Sequence, residues 1–300
     1  MTDIDSLQIG FIGAGRLGKA LAWHCSRSGL QVVAVASLLA EESEGLARNI
    51  PGCVVSSAQE VADTCDLIFV TTPDGVIQQT ADSINWRRDS FVVHCSGATE
   101  VDHLSKAASD GAHIGGFHPL QTFGDPEAAA KSLPGCTITV EANDPLDDVL
   151  VVLAERMQCS VNRLPAGARP LYHAAAGYTS QFMNVLMREA SLMWQSWGGT
   201  EDGAVKALMP LVRGTIASIE EAGVARGMPG PVSRGDVASV AKHVQAVEEF
   251  DPSKLALYRE MCGRTVSIAL ELGRIDDATA AQFLSLLEGD APAYKKVMTS

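Results

Sequence analysis

The stretch "LQIGFIGAGRLGKAL", residues 7–21, decides the fold. Leu7–Ile12 has the length and apolar content of a buried strand, and a segment with helical spacing follows over Leu17–Ser28. Gly13, Gly15 and Gly18 stand between them, so the G-x-G-x-x-G pattern has the strand–turn–helix context it requires. Gly13 permits the tight turn, Gly15 lets the backbone approach a pyrophosphate, and Gly18 lets helix and strand pack closely. The helix N-terminus offers free N–H groups and a partial positive charge to phosphates. Gly13, Ala14, Gly15, Arg16, Leu17 and Gly18 are therefore candidate cofactor-binding residues.

Outward from this loop the chain alternates between β-rich and helical runs. Further strands are expected at Gln31–Ala36, Asp66–Thr71, Ser90–His94 and His113–Phe117. Helical spacing lies between them at Val76–Trp86 and Glu100–Ala108. Nearly continuous Val/Ile/Phe strands indicate a parallel sheet covered on both faces. Cys136–Val140 and Ser160–Leu164 extend it, with a helix over Pro145–Met157. The pattern changes at LPAGARP, residues 164–170, after which helices are expected at 171–197, 201–222, 236–249, 252–273 and 276–288. The fold class is thus an α/β Rossmann-like parallel-sheet domain, residues 1–165, followed by an all-α domain, residues 166–300.

Composition narrows the function classes. A formal net charge of −13 disfavours nucleic acid or an anionic membrane surface as partner, since both reward clustered Lys and Arg. The acidic start MTDIDSLQ has no apolar signal core, and no run is long enough to span a membrane. The 7 cysteines are scattered without a C-x-x-C pair, which favours reduced thiols in the cytoplasm over a disulfide framework or a metal site.

Ligands of open α/β sheets lie beyond the carboxyl ends of the strands. Thr71, Thr72 and Pro73 leave one such end and are expected beside the cofactor. An acidic residue that would hold a ribose 2′-OH is replaced by Ser37, which favours NADP and leaves NAD open. FVVHCSGATE and HIGGFHPLQTF end the same way, with His94 and Ser96 after one strand and His118 just past another. In the first helix of the second domain, His173, Gly177, Ser180, Asn184 and Arg188 form one narrow polar stripe, with Gln181 at its edge. Such a stripe faces a ligand, water or a hydrogen-bond network, because unpartnered buried polar groups cost about 1–3 kcal/mol each. In GPVSRGD, residues 230–236, Arg234 offers a fork to a carboxylate and Asp236 caps the next helix.

The blocks GFIGAGRLG, TTPD, VVHCSGA, GGFHPLQTF, LYHAAAGYTSQF, LMPLVRGTI and GPVSRGD, in this order, resemble a family of predicted NADP-dependent oxidoreductases. That family joins a Rossmann-like domain to a C-terminal helical domain of unknown function, within the group with 6-phosphogluconate-dehydrogenase-like helical domains. The resemblance spans roughly residues 7–272. It implies NADP as cofactor and a homodimer formed through the helical domain. Prephenate dehydrogenases of that group carry a serine and a catalytic Gly-Gly-His-Pro histidine, which Ser96 and His118 match. His173 is similar in place to the catalytic lysine of ketopantoate reductases and β-hydroxyacid dehydrogenases. Gln181 departs from the asparagine more often found in the family.

The resulting expectation is hydride transfer between NADP(H) and a small polar substrate in an interdomain cleft. His118, His173, Ser96 and Asn184 are the catalytic candidates, and Ser180, Gln181 and Arg234 the substrate-binding ones. A ketopantoate-reductase-like enzyme and a non-catalytic NADP(H) sensor are the alternatives.

Overall fold

The computed structural model describes residues 3–288. They fall into two compact units, Met1–Ser180 and Gln181–Ser300.

The first unit is built on one eight-stranded sheet in the order β3-β2-β1-β4-β5-β6-β7-β8. The strands are β1 (Gln8–Ile12), β2 (Gln31–Ala36), β3 (Val54–Val55), β4 (Leu67–Val70), β5 (Phe91–His94), β6 (His113–Pro119), β7 (Thr137–Ala142) and β8 (Ser160–Arg163). The helices are α1 (Arg16–Arg27), α2 (Ala40–Ala47), α3 (Ala58–Thr64), α4 (Ile77–Asp82), α5 (Ser105–Asp110), α6 (Pro126–Ser132), α7 (Leu146–Arg156) and α8 (Arg169–Thr179). β4 and β5 are buried along their whole length, as strands covered on both faces must be. Alternate side chains divide between two cores. Phe11, Phe69, Val93 and Phe117 fill one face, while Ile68, Val70 and Val92 fill the other. Phe69 stacks on Phe11 at 5.0 Å and meets Phe117 edge-on at 5.5 Å.

The sheet is parallel from β3 to β6, but β7 returns antiparallel to β6 and then pairs parallel with β8. The sheet is thus mostly parallel, as expected, and the antiparallel β6–β7 pairing is the part the sequence did not reveal. A parallel return requires a crossover over the sheet. Here the connection, residues 120–136, carries α6, whose Ala129 and Ala130 pack on Ala20 of α1 instead of crossing the sheet.

The second unit is helical: α9 (Gln181–Gln195), α10 (Glu201–Ala222), α11 (Val237–Phe250), α12 (Pro252–Glu271) and α13 (Asp277–Leu287). Its core holds Val240, Val244, Val266, Ala269 and Phe283. Asp236, Asp251 and Asp276 each accept a backbone N–H at a helix start, as their N-cap positions in the sequence require. The single helix expected over 171–197 is two helices, α8 and α9, separated at Ser180. Ser180 N–H, Ser180 Oγ and Thr179 Oγ1 all converge on the Ala176 carbonyl, at 3.0–3.1 Å. Hydroxyls that bond back into the preceding turn compete with the helix ladder, and Ser180 leaves helical geometry with ψ −83°. Among the described residues no helix is long and apolar enough to cross a membrane.

Candidate functional site

Two sets of sequence-read residues come together in the first unit. The glycine loop lies at the point where the strand order reverses, between β1 with its neighbour β2 and β4 on the other side. Gly13 adopts φ +114°, and a Cβ there would stand 2.6 Å from the Thr71 carbonyl carbon. Thr71 Oγ1 donates to Gly13 O at 2.6 Å, which ties the end of β4 to the loop. A Cβ on Gly18 would strike Gly13 O at 2.4 Å. Gly15 is different. It caps α1 with ordinary extended angles, and a Cβ there would meet nothing within 4 Å. Internal packing explains Gly13 and Gly18, whereas the space over Gly15 suits a ligand's phosphates. Thr72 Oγ1, nearby in sequence, is buried without a hydrogen-bond partner among the described residues. These features fit a dinucleotide held by Gly13–Gly18 and Thr71–Pro73. At the end of β2, Ser37 Oγ accepts from Leu39 N–H at 3.4 Å, and Lys19 is ion-paired with Glu42.

The second set is built on the antiparallel ladder that the sequence did not reveal. Residues directly opposite in such a ladder share a face, as do residues two apart along one strand. Gly116 pairs with Glu141, and His118 with Thr139, so all four positions belong to one face. His118 is therefore within β6 rather than just past it. The strand still outruns β5, whose last residue, His94, pairs with Gly116.

Over this face α8 brings Arg169 and Tyr172, three residues apart and hence on one side of the helix. Arg169 is wholly buried. Its Nε donates to Glu141 and its Nη1 to Ser96 O at 2.7 Å. Nη2 has no hydrogen-bond partner among the described residues. The guanidinium occupies the place of the missing Gly116 side chain, since a Cβ there would be 1.7 Å from Nη2. One turn on, Tyr172 Oη lies 2.7 Å from His118 Nδ1. Thr139, fully buried beneath, is braced by Asn162 Nδ2 at 3.3 Å.

The imidazoles of His118 and His173 meet edge-on with centroids 5.9 Å apart. Both reach the same glycine: a Cβ on Gly97 would be 2.4 Å from His173 Nδ1 and 2.9 Å from His118 Nε2. The glycines of HCSG and GGFH thus leave room for side chains from α8 and β6. Ser96 Oγ is engaged locally, accepting Ala98 and Thr99 N–H and donating to Thr99 Oγ1 at 2.9 Å. Its hydroxyl shapes the turn that presents Gly97, and its carbonyl anchors Arg169.

Electrostatics follow from this packing. Burial, reinforced by His173 and then Arg169, pulls the His118 imidazole down to about 4. Burial and the Arg169 charge take His94 to about 3, and Ser96 N–H donates to its Nδ1 at 3.2 Å. Both rings are neutral at physiological pH. Burial raises the Tyr172 phenol, with the Thr139 hydroxyl and Arg169 opposing. The arrangement is a neutral Tyr–His pair beside a fixed guanidinium, able to donate and accept protons at a partly open face.

His118, His173 and Ser96 are thus gathered in one place. Ser180 ends the first unit at the helix break, and Gln181, Asn184 and Arg234 belong to the second unit, all three exposed. The loop carrying Arg234 is held by Arg274, which donates to the carbonyls of Arg226 and Met228 and to Ser233 Oγ. Sequence reasoning missed Arg169, Tyr172, Glu141 and Thr139. The usable signal was Gly116 two residues before His118, a vacancy on the histidine's own strand face.

Comparison with known proteins agrees with this architecture. Residues 2–119 match a Rossmann-like domain, and residues 136–265 match a domain of unknown function, DUF2520. The chain joins these two domains, the combination its sequence blocks resemble. A search of curated proteins finds no match. Among solved structures, a Thermotoga maritima protein is 22% identical with a TM-score of 0.74, covering 89% of this chain and 100% of its own. A Bacteroides fragilis protein provisionally described as an NADP oxidoreductase is 23% identical with a TM-score of 0.70, covering 88% and 100%. Plasmodium falciparum pyrroline carboxylate reductase, solved with NADP bound, is 10% identical with a TM-score of 0.60, covering 95% and 100%.

Proposed function

We propose that this protein is an NADP(H)-dependent oxidoreductase acting on a small polar substrate, with a carbonyl/hydroxyl or imine/amine pair at the reacting centre. The observation that carries the reading is the glycine loop, where Gly15 has open space that no internal contact explains. The similarity to an NADP-bound pyrroline carboxylate reductase and to an NADP oxidoreductase supports NADP and brings imine reduction into view.

Bound nicotinamide would supply or accept the hydride. Backbone N–H groups of Gly13–Gly18 would hold the pyrophosphate, with Thr71, Thr72 and Pro73 flanking it and Ser37 at the ribose. His118 and His173 converge beside Gly97 and would orient the reacting group and handle its proton. Ser96 contributes by shaping that turn. Ser180, Gln181, Asn184 and Arg234 are candidates for substrate contact from sequence alone, with Arg234 suited to a carboxylate. The reading includes a cytoplasmic location, supported by 7 free thiols. It also includes a homodimer, supported by exposed Phe182, Val185, Leu211, Ile216 and Ile219 on α9 and α10.

The test is NADPH consumption at 340 nm with cyclic imines, 2-oxo acids and a metabolite extract. Turnover that falls at least about 100-fold in His118→Ala, with NADPH affinity retained, is the expected result. Tight NADPH binding without turnover on any of these would instead identify a sensor.

A further inference from the structure

We propose that Tyr172 is the proton source of this site and that His118 relays its proton as a neutral imidazole. This rests on the hydride-transfer reading for its purpose but on independent geometry for its substance. The phenol and the ring are 2.7 Å apart, Oη to Nδ1. The other ring nitrogen, Nε2, faces the Gly97 surface where His173 Nδ1 also arrives. The ring therefore has one nitrogen on an internal donor and the other at the partly open face.

The relay takes the phenol as donor and the ring as acceptor across this contact, and three features accompany that direction. Burial, His173 and Arg169 keep His118 at about 4, so about one ring in a thousand is cationic at pH 7. A neutral ring carries its single proton on Nδ1 or Nε2, not both. With the phenol donating to Nδ1, that proton sits on Nε2. Burial keeps Tyr172 protonated at rest by raising its phenol, and the Thr139 hydroxyl and Arg169 are the groups that offset that cost when it ionises.

When a developing alkoxide or amine takes the Nε2 proton, the Tyr172 O–H proton moves to Nδ1. One O–H and one N–H bond break, one N–H bond forms on the ring and one bond to hydrogen forms on the product. The imidazole is neutral before and after, and the negative charge passes to Tyr172 Oη, where Arg169 and the Thr139 hydroxyl stabilise it. Water then returns a proton to the phenolate.

The groups facing the His118–Tyr172 pair are His173 and Arg169 from α8, and Thr139 and Glu141 from β7. His94 ends β5, close enough to sense His118, and the Gly97 turn follows it. Cys136 is near enough to act on Tyr172 electrostatically. Glu141 is engaged by Arg169, and among the described residues no ion pair or hydrogen bond joins a carboxylate to His118.

The test is ¹H–¹⁵N NMR of the histidine rings in the full-length protein without cofactor or substrate, with His118 assigned by its loss in His118→Gln. The relay predicts an Nε2–H tautomer that stays untitrated from pH 8 to 5.5, and a shift toward mixed tautomers in Tyr172→Phe. An Nδ1–H tautomer, or a His118 titration midpoint near 6.5, would overturn it, and wild type alone decides both. With a substrate identified, Tyr172→Phe should lower kcat at least about 100-fold and leave NADPH affinity unchanged. An unchanged kcat would overturn the relay. Failure to bind NADPH would instead remove the hydride-transfer reading and leave the tautomer result standing.

Discussion

Gly116→Ala should be among the most damaging methyl additions in the first unit. The new Cβ would lie 1.7 Å from Arg169 Nη2 and 2.6 Å from Cζ. The backbone of Gly116 is ordinary strand, so the cost comes from the guanidinium alone. Arg169 is wholly buried and must withdraw. It then loses Ser96 O and leaves Glu141, whose side chain is 12% exposed, without its cation. Breaking a buried pair in this way costs about 3–5 kcal/mol, and the residual hydration of Glu141 favours the low end, about 3 kcal/mol. For a unit of 180 residues this lowers Tm by roughly 6–12 °C. Urea unfolding followed by circular dichroism measures the loss, and a double-mutant cycle isolates its cause. On an Arg169→Ala background the added methyl enters vacated space and should cost less than about 0.5 kcal/mol. Equal costs with and without the guanidinium would refute the argument.

The remaining predictions concern pH and assembly. His94 and His118 are held at about 3 and 4, below the ~6.5 of an unfolded histidine. Their contribution to stability is complete above pH 6.5 and is lost as pH falls toward 4, because the unfolded chain takes up protons that the folded one refuses. From pH 6 to 5 the loss is about 2 kcal/mol, and His118→Gln should roughly halve that slope in urea titrations. A slope unchanged by His118→Gln would count against the burial argument. Light scattering should give twice the 31.6 kDa chain mass, and Leu211→Glu, placing a charge at a 65% exposed position on α10, should release monomer. A wild-type monomer would end the dimer proposal.

The fold was legible where one local signal sufficed. The glycine loop, the buried strands β1, β2, β4 and β5, and the helices α11 to α13 follow from composition and spacing. β3 has only two residues, too few for a periodic signal. The reversal at β7 escaped because it depends on where α6 packs, a tertiary fact. The break at Ser180 escaped because a continuous 3.6-residue pattern crosses it, while three groups compete for the one carbonyl that decides it. In the site, His118, His173 and Ser96 could be read as strand-end and helix-start polar residues. Arg169 could not, since an arginine between Ala168 and Pro170 in a loop-like stretch looks solvated. Tyr172 was hidden among the apolar residues of its helix. The pairing of Gly116 with Glu141 and of His118 with Thr139 explains both, and only the register supplies it.

The most direct test of the account is calorimetric titration of the wild-type protein and Gly15→Ala with NADPH. Gly15 meets nothing within 4 Å of its missing Cβ, so alanine should cost the fold no more than about 1 kcal/mol, a Tm change within about 4 °C. The account predicts that wild type binds NADPH and that Gly15→Ala binds it at least about tenfold more weakly, a difference of about 1.4 kcal/mol. Wild-type protein that binds no NADPH at millimolar concentration, or a Gly15→Ala variant that binds it equally well, would contradict the account.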